Sequence, residues 1–254
     1  MEGDLRHVNW RLIALDMDGT SLINHRYVSD ENRKWLYKAR EAGIEFTFAT
    51  GRHIKGILTD LVRELEIRVP IVTMNGSEVW TPQGELLTRH ALSADDVAWL
   101  HSLAKRYGAG FWAGAVDRPY NMDEFPVRFR EHTWLKFGFF AHDGDVIAAL
   151  WKELDNGRFE LSNSDPLNIE VNPLGVTKAA GLQVVADYIG IDPSQVVAIG
   201  DSLNDLPMIR WAGLGIAMGN AQPEVKAEAD WVTTSCDEHG VAYAVDQLLR
   251  GQLG

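Results

Sequence analysis

Residues 12–20 read Leu-Ile-Ala-Leu-Asp-Met-Asp-Gly-Thr. The apolar run is too short to stand as a free helix. Its unbroken apolarity predicts a strand buried on both faces, as in a parallel sheet covered by helices. That one element already steers the chain toward an α/β architecture. In open α/β sheets, ligands gather beyond the carboxyl ends of the strands, and Asp16 stands at that end. Asp18 follows closely, and Gly19 lets the backbone turn sharply. Two carboxylates held this close repel unless a cation or a proton sits between them. The pair therefore calls for Mg²⁺ or for one protonated partner acting as an acid.

Composition narrows the partners. The chain has 254 residues and a formal net charge of −12. Such an acidic chain is not expected to bind a nucleic-acid backbone or an anionic membrane. Its single cysteine, Cys236, excludes an intramolecular disulfide and fits a reducing compartment. Met1-Glu2-Gly3-Asp4 is acidic and lacks the apolar centre of a signal peptide. No apolar run reaches the roughly 20 residues of a membrane span. A cytoplasmic protein is expected. Nothing in the sequence sets an oligomeric state, and a monomer is compatible with it.

In chain order, Ser29 predicts an N-cap for a helix to about residue 42, with Asp30 and Glu31 in its first turn. A second buried strand over 44–49 ends in Thr50-Gly51-Arg52, and a helix follows over about 54–65. A third strand over 70–74 stops at Asn75-Gly76. Strand–helix alternation predicts parallel pairing with right-handed crossovers. The three strand ends then form one edge, where a site can assemble. The rhythm changes after a hairpin over 78–87. Strands and helices without βα alternation predict a separate α+β unit. It includes a polar loop over 117–132 that carries Arg128 and Arg130. Alternation returns with a helix opened by Thr177 and Lys178, then a fourth buried strand ending in Gly200-Asp201-Ser202-Leu203-Asn204-Asp205. The predicted fold is a Rossmann-like, doubly wound parallel sheet. Its core comprises 1–84 and 174–254, interrupted by an inserted α+β cap over 85–173.

Four motifs stand in order: Asp16-Met17-Asp18-Gly19-Thr20, Thr50-Gly51-Arg52, Lys178, and residues 200–205. Asn75-Gly76, the stretch from Ile169 through Glu170-Val171-Asn172 to Lys178, and Ala217-Met218-Gly219-Asn220-Ala221 accompany them. With these the chain resembles the haloacid-dehalogenase-like superfamily, and within it the Cof-type phosphatases of the IIB branch. The likeness spans both core segments and is weak in the insertion. Two positions depart from the pattern: Ser21 stands where the family often has Leu, and Ala179 where it often has Gly.

The resemblance implies a hydrolase that acts on a small phosphorylated metabolite with Mg²⁺ as cofactor. Sugar phosphates lead, with nucleotide or cofactor phosphates next. Asp16 would be the nucleophile, forming a phosphoaspartate. Asp18 would serve first as acid and then as base. The Asp16 carboxylate, the Asp18 main-chain carbonyl and Asp201 would hold the metal, with Asp205 at or near its outer shell. Lys178 would lie between Asp16 and the phosphoryl oxygens. Thr50 and neighbouring amides would bind those oxygens, while Gly51, Asn75, Gly76 and Asn204 would complete the substrate site.

Taken singly, several of these residues have plainer readings. Thr50 and Asp205 also read as helix caps, and Arg52 as structural or outer-shell. The eight histidines share no ligand spacing and read as surface or core residues. Cys236 has no nucleophile context. The motifs do not separate a phosphatase from a phosphomutase, whose first half-reaction is the same. A non-catalytic phosphoryl-binding protein is disfavoured by Asp18, and a dehalogenase would not need the metal cluster.

Overall fold

A computed structural model describes residues 9–253. The readings of Met1–Asp4 and of His7 lie outside the described residues. Strand β1 (Leu12–Leu15) is followed by a small ribbon, β2 (Leu22–Ile23) with β3 (Tyr27–Val28), and by helix α1 (Asp30–Glu41). Next come β4 (Glu45–Phe48), α2 (Ile57–Glu64), β5 (Ile71–Thr73), β6 (Glu78–Trp80) and β7 (Leu86–Arg89). A second group holds α3 (Ala94–Tyr107), β8 (Gly110–Ala115), β9 (Pro119–Asn121) and β10 (Trp134–Phe140). It ends with α4 (Gly144–Leu154), β11 (Phe159–Ser162) and β12 (Asn168–Pro173). The chain then returns through α5 (Lys178–Ile189), β13 (Val196–Gly200), α6 (Leu206–Trp211) and β14 (Leu214–Ala217). It closes with α7 (Pro223–Glu228), β15 (Trp231–Val232) and α8 (Gly240–Leu249).

The main sheet has the order β15-β14-β13-β1-β4, with every pair parallel. All four residues of β1 are fully buried, as an apolar strand between two layers requires. Alternate side chains serve opposite faces. Ile13 and Leu15 pack with Leu36 and Ala39 of α1 and with Val241 and Val245 of α8. Leu12 and Ala14 pack with Leu182, Val185 and Ala186 of α5. Each fully buried leucine contributes about 1.5–3 kcal/mol of transfer free energy. The fold is the doubly wound α/β arrangement, with β1 an interior strand between β4 and β13.

One strand departs from the expected pairing. β5 joins β4 through a single parallel bridge, Ala49 to Val72, and otherwise belongs to an antiparallel sheet, β5-β6-β7. Pro70 is the reason, because it has no N–H to extend the ladder. Its carbonyl instead accepts the Thr47 hydroxyl at 2.7 Å. The chain leaves this three-stranded sheet only after Arg89.

The second large sheet, β11-β12-β10-β8-β9, is antiparallel. Its period-two alternation separates two faces. Phe137, Phe139, Ile169 and Val171 pack against Leu100 of α3 and Leu150 of α4. Lys136, Glu170 and Asn172 stand at the alternate positions and are buried against the segments that follow β4 and β5. The stretch 117–132 is more ordered than a polar loop. It contains β9 and two short 3-10 turns, and Phe125 stacks on Trp134 while meeting Phe111 edge-on.

Candidate active site

Asp16 follows β1 directly, and its N–H donates to the Ile199 carbonyl at 3.0 Å. Ser21, the departure from the family pattern, is fully buried and its hydroxyl donates to the Asp16 main-chain carbonyl. Gly19 turns the loop with φ +79°, and a Cβ there would stand 2.5 Å from Asp201 Oδ2. Only glycine permits both the left-handed turn and that approach.

Lys178 opens α5 after the Thr177 cap, whose hydroxyl accepts the Ala180 N–H at 3.1 Å. A cation is disfavoured at a helix N-terminus, and this one is completely buried. Two carboxylates compensate: Lys178 Nζ donates to Asp16 Oδ1 at 2.5 Å and to Asp205 Oδ1 at 2.6 Å. Burial pulls the ammonium down, but these two charges outweigh it and hold the Lys178 pKa above its ordinary value. Asp205 Oδ2 accepts the N–H groups of Asp201 and Ser202 at 2.9 and 3.0 Å. Asp205 is thus the N-cap residue of α6, but its side chain gathers the preceding loop instead of capping the helix. Asp201 accepts the hydroxyls of Thr20 at 2.9 Å and Ser202 at 3.0 Å.

Carboxylate oxygens of Asp16, Asp201 and Asp205 lie within 4.8 Å of one another. Burial, then the neighbouring Asp205 charge, pushes the Asp201 carboxyl up to about 6 and the Asp16 carboxyl well above its usual range. One ammonium does not balance three carboxylates. An oxygen-rich, anionic site of this kind suits a hard divalent cation.

Asp18 is held differently. Arg52 clasps it through Nε at 2.7 Å and Nη2 at 2.6 Å, and His25 Nδ1 lies 2.7 Å from its Oδ1. Burial would raise this carboxyl, but the hydrogen bonds from Arg52 and His25 outweigh it and lower it. Arg52 thus bonds a candidate catalytic group, and His25, read from sequence only as surface or core, joins the site. No spacing signal marks His25; the β2–β3 ribbon brings it there.

A cavity of about 400 Å³ opens over this cluster. Asp16, Asp18, Gly51, Asp201 and Asn204 line it, as do His25 and Arg52. Lys136 and Glu170 of the second sheet, with Ser164 and Asp165 of the turn between β11 and β12, form another part of its wall. Lys178 and Asp205 stand behind Asp16. Thr50 is buried at the end of β4: its hydroxyl accepts the Arg52 N–H at 3.1 Å, and its carbonyl accepts the Asn75 N–H at 3.0 Å. It does not cap α2, whose N-cap is Gly56. Gly76 abuts Thr177, with φ +103° and no room for a Cβ, which would stand 2.1 Å from the Thr177 carbonyl oxygen.

Lys136 was invisible as a site residue; its only mark in the sequence is a charge inside the apolar run Trp134–Phe140. Arg128 and Arg130 pair with Glu131 and Asp95 and line no part of the cavity. Cys236 is buried, and burial pushes its thiol up to about 11, so it is inert.

The sequence pattern of the haloacid dehalogenase-like hydrolases matches residues 13–143 and 129–245. The chain is 42% identical to the 5-amino-6-(5-phospho-D-ribitylamino)uracil phosphatase YcsE of Bacillus subtilis (strain 168), over 94% of this chain and 95% of that protein. It is 28% identical to an HMP-PP phosphatase of Cronobacter sakazakii, covering 94% of this chain and 96% of that one. Among solved structures, a haloacid dehalogenase-like hydrolase from B. subtilis superposes with a TM-score of 0.84 at 25% identity, over 94% of this chain and 99% of that one. A subclass IIB sugar phosphatase shares the fold, with a TM-score of 0.80 at 22% identity over 93% and 98% of the two chains. With a cluster of three carboxylates and a lysine at the strand ends of a doubly wound sheet, and with relatives aligned along nearly its whole length, the chain belongs to the haloacid dehalogenase-like hydrolases and is a phosphoric monoester hydrolase.

Proposed function

We propose that the chain hydrolyses a small phosphomonoester with Mg²⁺, through a phosphoaspartate on Asp16. The carrying observation is the cluster itself: Asp16, Asp201 and Asp205 converge within 4.8 Å, with Lys178 as their only bonded ammonium among the described residues. A phosphate dianion cannot approach such a cluster without added positive charge. When bound, Mg²⁺ supplies that charge and polarises the phosphoryl group. Asp16, Asp201 and the Asp18 main-chain carbonyl are the proposed ligands. Asp205 is the outer support: it is fully buried, bonded to Lys178 and to two main-chain N–H groups, and lines no part of the cavity, whereas Asp16 and Asp201 do.

Asp16 attacks phosphorus, and the bond from phosphorus to the ester oxygen breaks. Asp18 gives that oxygen a proton, then takes one from the water that hydrolyses the phosphoaspartate, which restores both carboxyl groups. Arg52 keeps Asp18 ionised in the free site. Its transfer to a phosphoryl oxygen returns Asp18 toward the protonated form needed for the first step. Lys178 holds Asp16 in line and offsets its charge. Thr50, with the amides beside Gly51, receives the phosphoryl oxygens. The inserted unit, which the chain enters after Arg89, acts as a cap that supplies part of the cavity wall and excludes water.

The substrate class is a phosphorylated sugar, sugar alcohol or cofactor precursor. The ribitylaminouracil phosphate in the name of the 42%-identical relative is the first candidate. The buried, inert cysteine and the acidic balance fit a cytoplasmic enzyme. The test is phosphate release over a panel of such esters, with Mg²⁺ and with a chelator. Metal-dependent release is expected, fastest on an ester of this class. Release that survives complete chelation would overturn the reading.

A further inference from the structure

Glu170, on the cap face turned toward the core, is 4% exposed and has no part in the chemistry above. Its carboxylate is saturated. Oε1 accepts Lys136 Nζ at 2.9 Å and the Ser164 hydroxyl at 3.3 Å. Oε2 accepts Asn75 Nδ2 at 2.6 Å and Asn204 Nδ2 at 3.1 Å. Burial would raise this carboxyl, but Lys136 and the two amides outweigh it and hold it at about 2, so it stays ionised.

An ionised carboxylate only accepts hydrogen bonds. It therefore draws each amide nitrogen toward itself and turns each oxygen away; for Asn75 the Asn172 Oδ1, which accepts the same Nδ2 at 3.4 Å, acts in the same sense. Asn75 and Asn204 are 3% and 7% exposed, and neither Oδ1 has a donor among the described residues. Asn204 lines the cavity. Asn75 Oδ1 lies 2.9 Å from where a Cβ would stand on Gly51, which also lines it. Asn75 has left-handed backbone geometry, φ 59°, anchored by its N–H on the Thr50 carbonyl. One of these buried acceptors belongs to a wall residue, Asn204, and the other, on Asn75, lies behind the wall residue Gly51. A phosphoryl group cannot satisfy them, because its oxygens are acceptors too. O–H or N–H groups on the organic part of the ester can.

We propose that Glu170 is a positioning residue for specificity: it aims the amide oxygens of Asn75 and Asn204 at hydroxyl or N–H donors of the leaving alcohol, so the site selects polyol phosphates over aryl phosphates. This rests on the phosphatase reading above and goes beyond it by naming what the alcohol must carry. A site built to hydrogen-bond such groups discriminates strongly against esters that lack them.

The test compares kcat/KM for ribitol 5-phosphate and for p-nitrophenyl phosphate, with Mg²⁺, in the intact chain, Glu170→Gln and Asn204→Ala. Glutamine keeps the shape of Glu170 but can donate, so it no longer dictates the amide orientation. The intact chain is expected to prefer the polyol ester. Both variants should lower that preference at least tenfold, chiefly through KM for the polyol ester. Asn204→Ala leaves the buried charge pair in place and decides the matter if Glu170→Gln does not fold. Equal losses on both esters, or no initial preference, would overturn the inference and leave the phosphatase reading standing. Hydrolysis of neither ester by the intact chain would overturn both.

Discussion

Two buried lysine–carboxylate clusters face each other across the cavity, and they are built on opposite charge balances. Around Lys178, one ammonium meets Asp16 and Asp205, with Asp201 beside them. Carboxylates there are pushed up, first by burial and then by neighbouring anions that one ammonium does not balance. Around Lys136, one ammonium meets one carboxylate, and neutral amides supply the remaining donors. Glu170 is correspondingly pulled down. The first arrangement calls for a cation. The second is complete in charge and leaves only neutral acceptors unmet, so it is suited to reading hydroxyl groups. Burial is alike in the two places; the count of charges sets what each can do.

The contrast can be broken in several ways. The largest effect is expected from Lys178→Met, which strands two buried carboxylates and should cost about 3–5 kcal/mol of stability, measured by denaturant unfolding of the metal-free protein. Lys136→Met should cost less, because Glu170 keeps its amide donors. If the two variants are equally destabilised, the difference in charge balance is not what distinguishes the clusters. Mg²⁺ should act next: at a hundred times its dissociation constant it stabilises by about 2.7 kcal/mol. That gain should persist in Glu170→Gln and vanish in Asp201→Asn, as read from thermal unfolding.

Acid should affect the two clusters with opposite sign. Glu170, ordinarily near 4.5, is depressed to about 2. Its contribution is present above pH 4.5 and is lost as pH falls toward 2, a change of roughly 3 kcal/mol. Asp201, ordinarily near 3.8, is raised to about 6. The metal-free native state therefore takes up protons first and gains stability as pH falls from 6 toward 4. Unfolding free energy measured against pH should rise and then fall. In Glu170→Gln the second limb should flatten, and in Asp201→Asn the first. The smallest effect is expected from Ser21→Ala, which removes one bond to the Asp16 carbonyl and should cost about 1 kcal/mol, with a few-fold loss in kcat. An unchanged kcat would show that this bond does not hold the nucleophile.

Much of the first cluster was legible because its residues sit at strand ends and helix starts that local rules mark. The apolar run before Asp16, the caps at Ser29 and Thr177, and the break at Gly200-Asp201 each carry a local signal. In the second cluster Asn75 and Asn204 sit at marked strand ends too, but Lys136 and Glu170 carry no such signal. Asn75 and Glu170 lie 95 positions apart, and a polar residue alternating with apolar ones reads as the wet face of a sheet. Only the packing of that face against the segments that follow β4 and β5 makes Lys136, Glu170 and Asn172 interior. The single bridge of β5 was hidden for another reason: Pro70 ends the ladder through a missing N–H that no apolar pattern displays. Likewise Asp117–His132 was judged by its charges, whereas Tyr120, Phe125 and Phe129 fold it onto the aromatic cluster around Trp134.

The account's central claim is that Asp16 carries the phosphoryl group, and a rapid acid quench tests it most directly. The variant is Asp18→Asn with Mg²⁺ and p-nitrophenyl phosphate, whose leaving group departs without a proton. Transfer to Asp16 then proceeds while the base that hydrolyses the intermediate is missing. The account predicts close to one protein-bound phosphoryl group per chain, mapped by mass spectrometry to Asp16, and none in Asp16→Asn. Free phosphate released with no protein-bound phosphoryl group at any time, or a phosphoryl group on another residue, would contradict it.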